Sequence, residues 1–212
     1  MLTPAALTLQ HWLSPAFPTG AFAYSHGLEQ VVADGMVQDA ATLELWLADL
    51  LHFGTGWQDG VLIGQGLEPE ADIDALDALS IALQSCPERL LETTEQGAAF
   101  ARTVSAITGR VLRPRTLPVA IAEAAAPLGL LPCDVITLYL QAFTTNLVTI
   151  AIRHVPLGQS EGHGVLARLL PRFPDLGLHC ARASLQDLGS SCFAADMAAI
   201  SHEIKEVRLF RT

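Results

Sequence analysis

The chain has 212 residues, half of them apolar and 6% aromatic, and its formal net charge is −10. That length allows one substantial domain or two small ones, and the negative charge argues against binding to nucleic-acid phosphates, which requires clustered lysine and arginine. Alanine and leucine dominate the apolar residues, and both favour helices over sheets, so we predict an all-α fold.

The charge is distributed unevenly along the chain. Residues 1–88 contain twelve acidic residues and no lysine or arginine, whereas residues 89–212 contain ten acidic residues and all twelve basic ones. The two parts therefore carry −12 and +2, which together give −10. A solvated acidic surface is the simplest interpretation, and the alternatives are steering of a basic partner or attraction of divalent cations.

The helix predictions follow from caps, prolines and apolar spacing. Thr3 with Pro4 is typical of a helix start, Asp39 of another start, and Gly109 of a helix end. Together the patterns predict a single domain, residues 1–212, built as a bundle of about ten helices. The predicted helices cover residues 4–13 and 22–33, a segment after Asp39 with an apolar face from Leu43 to Leu51, residues 61–67, two segments between residues 68 and 109, and residues 118–128, 134–154, 165–170, 178–188 and 193–206.

Three features concern the location of the protein. The cysteines Cys86, Cys133, Cys180 and Cys192 form no CxxC pair, and the chain begins without a positively charged leader, so we predict reduced thiols and a cytoplasmic protein. "VITLYLQAFTTNLVTIAI", residues 135–152, has eighteen uncharged residues, about the length of a membrane span. Its threonine, glutamine and asparagine residues favour a central buried helix instead, and we predict no membrane partner.

The motifs of nucleotide binding are incomplete. "GTGWQDG", residues 54–60, resembles GxGxxG, but its last glycine comes one residue late and no predicted strand precedes it. We interpret this stretch as a break or bend between helices. No phosphate-binding GxxxxGK[ST] motif is present.

Hydrolase and metal motifs are incomplete as well. Ser25 and His26 are adjacent, and neighbouring helical residues point about 100° apart, so they are not expected to pair as nucleophile and base. "HEIKE", His202 to Glu206, lacks the second histidine of HExxH, and we interpret it as a solvated polar face rather than a metal site. We therefore predict no catalytic residues, no metal ligands and no cofactor.

Three segments together carry a resemblance to a known family. "LSPAFPTGAFAYSHGLE", "NLVTIAIRHVPLGQSEG" and "DMAAISHEIKEVRLFRT" resemble, in order and spacing, the UreF family of urease accessory proteins. The resemblance implies an all-helical, non-enzymatic factor that tends to form a homodimer. It further implies binding to a UreD-type (also called UreH-type) accessory protein, recruitment or regulation of a UreG-type GTPase, and delivery of nickel to apo-urease.

The resemblance also implies two partner-binding segments. Both match the family's motifs position by position, and the second belongs to a C-terminal tail of about residues 200–212 that the resemblance implies is used in complex formation. The candidates are Pro18, Gly20, Tyr24, Ser25 and Glu29 in the first segment, and His202, Glu203, Arg208, Leu209, Phe210 and Arg211 in the second. The chain departs from the family at Glu206 and Val207, where a tyrosine–serine pair is usual, which removes an aromatic contact and adds a charge.

Alternatives remain open at several of these positions. The alternatives are that Gly20 serves only the backbone conformation, that Tyr24 is a core ring, and that Leu209 and Phe210 dock the tail onto the fold itself. Two other functions also remain open: a nickel carrier that binds the metal through histidine and acidic groups, and a helical enzyme with an unrecognised site.

Overall fold

Residues 3–212, the part of the chain that the computed structural model describes, form eleven α-helices with four short 3₁₀ turns, and no strand occurs within that range. The all-α prediction is confirmed. The helices are α1 (Pro4–Trp12), α2 (Leu28–Ala33), α3 (Ala40–Phe53), α4 (Thr55–Gly66), α5 (Ile73–Ala82), α6 (Pro87–Thr108), α7 (Leu117–Ala125), α8 (Pro132–His154), α9 (Gln159–Leu169), α10 (Phe173–Arg182) and α11 (Phe193–His202).

The predicted helix ends are formed by the expected local chemistry. The Thr3 hydroxyl accepts a hydrogen bond from the Ala6 N–H at 3.2 Å, and Pro4 occupies the first helical position. Asp39 and Thr42 form a capping box, with the Thr42 N–H 2.8 Å from the Asp39 carboxylate. Gly109 ends α6 in the left-handed conformation, at φ +74°.

The long apolar helix α8 lies in the core of the fold and packs against α10, α4 and α9. It is long and apolar enough to cross a membrane by length and composition, and half of its apolar window is buried inside the fold. Its buried Thr144 donates a hydrogen bond to the Leu140 carbonyl at 2.7 Å, so the hydroxyl is satisfied within the helix. The position of α8 confirms the prediction of a central helix.

The predicted helix over residues 22–33 is wrong in its first half. Residues 21–23 form a 3₁₀ turn, Tyr24 is extended, and His26 and Gly27 adopt φ values of +58° and +75° before α2 begins. The main chain of this segment bonds to the tail instead: the Arg211 N–H donates to the Ala23 carbonyl at 2.8 Å. A long-range contact therefore overrides the local helical pattern.

The predicted break at residues 54–60 is confirmed only at Gly54, which separates α3 from α4, because α4 begins at Thr55 and contains the rest of the stretch. Glycines lie inside the helix for packing: a Cβ at Gly60 would lie 2.7 Å from the Cys180 sulfur of α10. The helix predicted for residues 178–188 starts earlier and ends at Arg182, and the last helix ends at His202 rather than residue 206.

The close approach between α6 and the connection formed by residues 110–116 can be tested by substitution. A Cβ at Gly97 would lie 2.7 Å from the Leu117 nitrogen and closer still to the Arg115 carbonyl oxygen, both main-chain atoms that cannot turn aside. We expect Gly97→Ala to lower the free energy of unfolding in urea by about 3 kcal/mol.

Gly164→Ala in α9 is the matched control. Its nearest neighbour is the flexible end of Arg168 at 3.4 Å, so the gain in helix propensity should stabilise the protein by up to about 1 kcal/mol. Equal unfolding free energies for the two variants would contradict the close packing at Gly97.

Candidate partner-binding site

The two predicted segments, far apart in sequence, lie together in the fold. The tail, defined here as residues 203–212, folds back onto residues 23–29 and onto α6. Pro18 and Gly20 belong to the turn that precedes this contact. Pro18 is exposed, and Gly20 starts the 3₁₀ turn at φ +77°.

Glu29 of α2 is the main anchor of the tail. Its carboxylate accepts the Phe210 N–H at 2.9 Å and the Leu209 N–H at 3.1 Å, and it faces the Nε2 of His202 at 3.2 Å. Burial opposes ionisation of this carboxyl, but these three hydrogen bonds outweigh it and lower the pKa of Glu29. The charge on α2 thus fixes the main chain of the tail.

A second anchor lies at the start of α6. Glu88 accepts hydrogen bonds from the Nδ1 of His202 at 2.7 Å and from the Nη1 of Arg208 at 2.6 Å. The Glu203 carboxylate accepts the main-chain N–H of Glu88 at 3.3 Å, so it caps an α6 start whose own N-cap side chain makes no such bond.

A third anchor joins Tyr24, Glu95 and Arg211. Arg211 makes two hydrogen bonds to the Glu95 carboxylate, at 2.5 and 3.1 Å, and a third to the Tyr24 hydroxyl at 2.9 Å. Its guanidinium also lies 5.2 Å from the centre of the Tyr24 ring. The Tyr24 hydroxyl donates a hydrogen bond to Glu95. Burial and, to a lesser extent, this hydrogen bond raise the pKa of Tyr24 well above its usual range.

Beneath the tail lies a buried polar network. Ser25 donates its main-chain N–H to the Thr212 main-chain oxygen at 2.9 Å, and the Thr212 hydroxyl donates to Glu92 at 2.8 Å. Glu92 also pairs with Arg89 and lies 3.4 Å from His26. Burial opposes ionisation of Glu92. The interactions that favour its charged form, of which the charge of Arg89 is the largest, nevertheless lower the pKa of Glu92 to about 2.

These positions correct two predictions. Tyr24 is 3% exposed and Glu29 is 2% exposed, so they are not displayed on the surface of a helix. His202 is 0% exposed and ends α11, so the predicted solvated His202–Glu206 face is wrong. Tyr24 is a core ring and Phe210 docks the tail onto the fold, as the alternative interpretation predicts. Arg208, Leu209 and Arg211 are exposed.

The contribution of α6 to the site is not among the sequence predictions. Glu88, Glu92 and Glu95 follow at i, i+4 and i+7, the spacing of one helix face, and each binds a different part of the tail. That row of acids was visible in the sequence. The positively charged segment that it meets, more than a hundred residues later, was not apparent from local spacing.

A row of exposed apolar residues was missed as well. The buried face of α11 packs on α2 and α6, whereas its opposite face carries large apolar side chains at i, i+4 and i+7, and a further one, Ile204, follows in the turn after the helix. We call these residues the apolar stripe: Phe193, Met197, Ile200 and Ile204. Phe193 is 72% exposed and Ile204 is 85% exposed. Val207 and Leu209 of the tail are exposed as well.

Within residues 3–212, no three histidine, cysteine, aspartate or glutamate side chains are placed to hold a metal ion. Ser25 and His26 bind different partners, since the Ser25 hydroxyl bonds to Thr212 and His26 bonds to Glu92 and Thr55. The site is therefore built to hold a segment of polypeptide in place.

Comparison with known proteins places this geometry in context. A family profile described as UreF matches residues 37–170. The chain is 53% identical over 211 residues to the urease accessory protein UreF of Cereibacter sphaeroides strain ATCC 17023, with 100% of both chains covered. It is 46% identical to that of Roseobacter denitrificans, covering 100% of this chain and 96% of the relative, and 45% identical to that of Paracoccus denitrificans, covering 100% and 99%.

The depressed pKa of Glu92 makes a prediction about acid stability. A carboxyl whose folded pKa lies below its unfolded value stabilises the fold above that unfolded value, about 4.3, and the contribution is lost as the pH falls towards 2. We expect Glu92→Gln to lower the free energy of unfolding at pH 7 by at least about 3 kcal/mol, because Arg89 stays buried without its partner.

The variant should also lose less stability than the wild type between pH 7 and about pH 3.5. Urea unfolding at both pH values measures this difference. Glu70→Gln, on the exposed turn before α5, is the control and should change neither value by more than about 0.5 kcal/mol. A wild-type acid slope retained in full by Glu92→Gln would refute the assignment.

Proposed function

The chain belongs to the UreF family of urease accessory proteins, and from this membership we propose that it is a non-enzymatic adaptor in urease maturation. In this proposal it binds a UreD-type (UreH-type) accessory protein, recruits or regulates a UreG-type GTPase, and acts as a homodimer during nickel insertion into apo-urease. We assign it no nucleic-acid or membrane partner and a cytoplasmic location.

The apolar stripe is the observation that carries the adaptor role. A contiguous apolar helix face exposed to water marks a docking surface, and a helix with anchors at i, i+4 and i+7 fits a groove on a partner. The stripe contains no charged residue, whereas the other face of α11 is held by α2 and α6. We therefore assign the stripe to the UreD-type protein.

The tail supplies the second part of the surface. Its three anchors fix the main chain on both sides of Leu209, so Leu209 and the exposed parts of Arg208 and Arg211 are presented in one geometry. A preorganised segment loses less conformational entropy when it binds. We assign this tail surface to the UreG-type GTPase, whose own groups would carry out GTP hydrolysis.

The negative net charge of the chain supports association with basic partners. Arg208 is paired with Glu88 and Arg211 with Glu95, so the tail neutralises only one of the twelve acidic residues in residues 1–88. The remaining acidic surface would accelerate the encounter with a positively charged partner at low ionic strength.

A charge placed in the apolar stripe tests the docking assignment. Ile204→Glu should weaken binding to a UreD-type protein by at least about tenfold, because burying an unpaired carboxylate in an apolar interface is costly. Binding is measured by titration of the purified partner. The melting temperature should be unchanged, since the side chain is 85% exposed.

Val111→Glu is the matched control. Val111 is 92% exposed in the connection between α6 and α7, away from α11, and its substitution should leave the affinity within about twofold of wild type. If both variants bind as the wild type does, the stripe is not the docking surface.

A measurement of metal binding distinguishes the nickel-carrier alternative from the adaptor. We expect equilibrium dialysis of the isolated chain to reveal no stoichiometric, submicromolar Ni²⁺ site, because the described residues hold no cluster of three metal-ligating side chains. A site of that affinity, together with no binding to a UreD-type protein, would favour the carrier over the adaptor.

A further inference from the structure

His202 occupies an unusual position at the point where α11 meets the tail. Its ring is 0% exposed, and each ring nitrogen faces a carboxylate oxygen: Nδ1 lies 2.7 Å from Glu88 and Nε2 lies 3.2 Å from Glu29. A carboxylate only accepts hydrogen bonds, and a neutral imidazole carries a single N–H. Only the doubly protonated, positively charged ring donates to both, so the geometry is that of an imidazolium.

Loss of one proton would affect the tail directly. The shorter contact would keep the remaining proton on Nδ1, and the Nε2 lone pair would then face the buried Glu29 carboxylate. Glu29 also holds the N–H groups of Leu209 and Phe210. A carboxylate repelled at one oxygen cannot keep the same geometry towards both main-chain donors, so the disturbance passes from the ring to the tail.

The surrounding charges do not replace the missing proton. From α2 the ring faces Glu29, and from the start of α6 it faces Glu88, beside the thiol of Cys86, whose pKa is raised by burial. The charged residues of the tail on this side are Glu203, Lys205 and Arg208. Arg208 bonds to the other oxygen of Glu88, Glu203 caps α6, and the Lys205 N–H bonds to the His202 carbonyl. The positive charge next to Glu29 comes from His202 itself.

We propose that His202 makes the tail a proton-dependent latch, closed when the ring carries both protons and loosened when it loses one. The charged and neutral forms of a histidine ring differ by one N–H donor, so the loss of a single proton operates such a latch. By linkage, a partner that holds the tail closed also favours the charged ring. That consequence for partner binding rests on the proposed function, whereas the latch is a property of the chain alone.

Hydrogen exchange of the purified full-length chain tests the latch without any partner. The protection factors of the Leu209 and Phe210 amides, corrected for intrinsic exchange, are measured from about pH 6 to about pH 9, and the ¹⁵N shifts of the His202 ring report its protonation in the same samples. Protection of the two amides should fall at least about tenfold over the span in which the ring loses its proton. The amides of Leu147 and Val148 in α8 should stay protected and thereby exclude global unfolding.

Two variants assign the effect to His202. His202→Gln should show low, pH-independent protection at Leu209 and Phe210, whereas His163→Gln, at an exposed position of α9, should retain the wild-type profile. His26 is a separate buried histidine, and burial together with the charge of Arg89 lowers its pKa below that of an ordinary histidine.

Either of two wild-type results would overturn the proposal. In one, the His202 ring loses its proton while the protection of the tail amides changes by less than about twofold. In the other, the ring keeps one protonation state across the whole range. Failure of the latch leaves the Ile204→Glu result unaffected, so the two proposals are judged separately.

Discussion

The carboxylate of Glu29 connects the two ends of the fold. It lies on a short helix near the start of the chain, and it accepts the main-chain N–H groups of Leu209 and Phe210 while facing the ring of His202. A buried carboxylate is stable only when such donors surround it. It therefore ties α2 to the end of α11 and to the main chain of the tail, and the anchors at Glu88 and Glu95 act beside it.

The acidic face of α6 extends the same principle along the tail. Glu88, Glu92 and Glu95 lie on one helix face, and each takes a different group from the last residues of the chain. The uneven charge of the sequence thus has a structural consequence. Acidic residues near the middle of the chain are paired with arginines at its end, and the pairing holds the tail against the fold rather than leaving it free in solution.

The arrangement suits the adaptor role proposed for this member of the UreF family. The buried side of α11 and the tail is fixed by ionic and main-chain hydrogen bonds, while the outer side presents the apolar stripe and Leu209 to water. A rigid, apolar, exposed surface is suited to protein–protein contact. Because the same buried charges hold both parts of the surface, a change in protonation at His202 would alter the geometry of the tail beside the stripe.

The sequence by itself determined the helical class, most helix ends and the central position of α8. These depend on caps and on the 3.6-residue period, which act between residues a few positions apart: Thr3 with Ala6, or Asp39 with Thr42. Only the tertiary structure decided the site. Glu29 meets Phe210 across 181 positions of the chain, and no local pattern encodes which distant donor satisfies a buried carboxylate. For the same reason Tyr24, Glu29 and His202, which the sequence predicts to bind a partner, are buried, and the glycines of α4 pack a helix instead of breaking it.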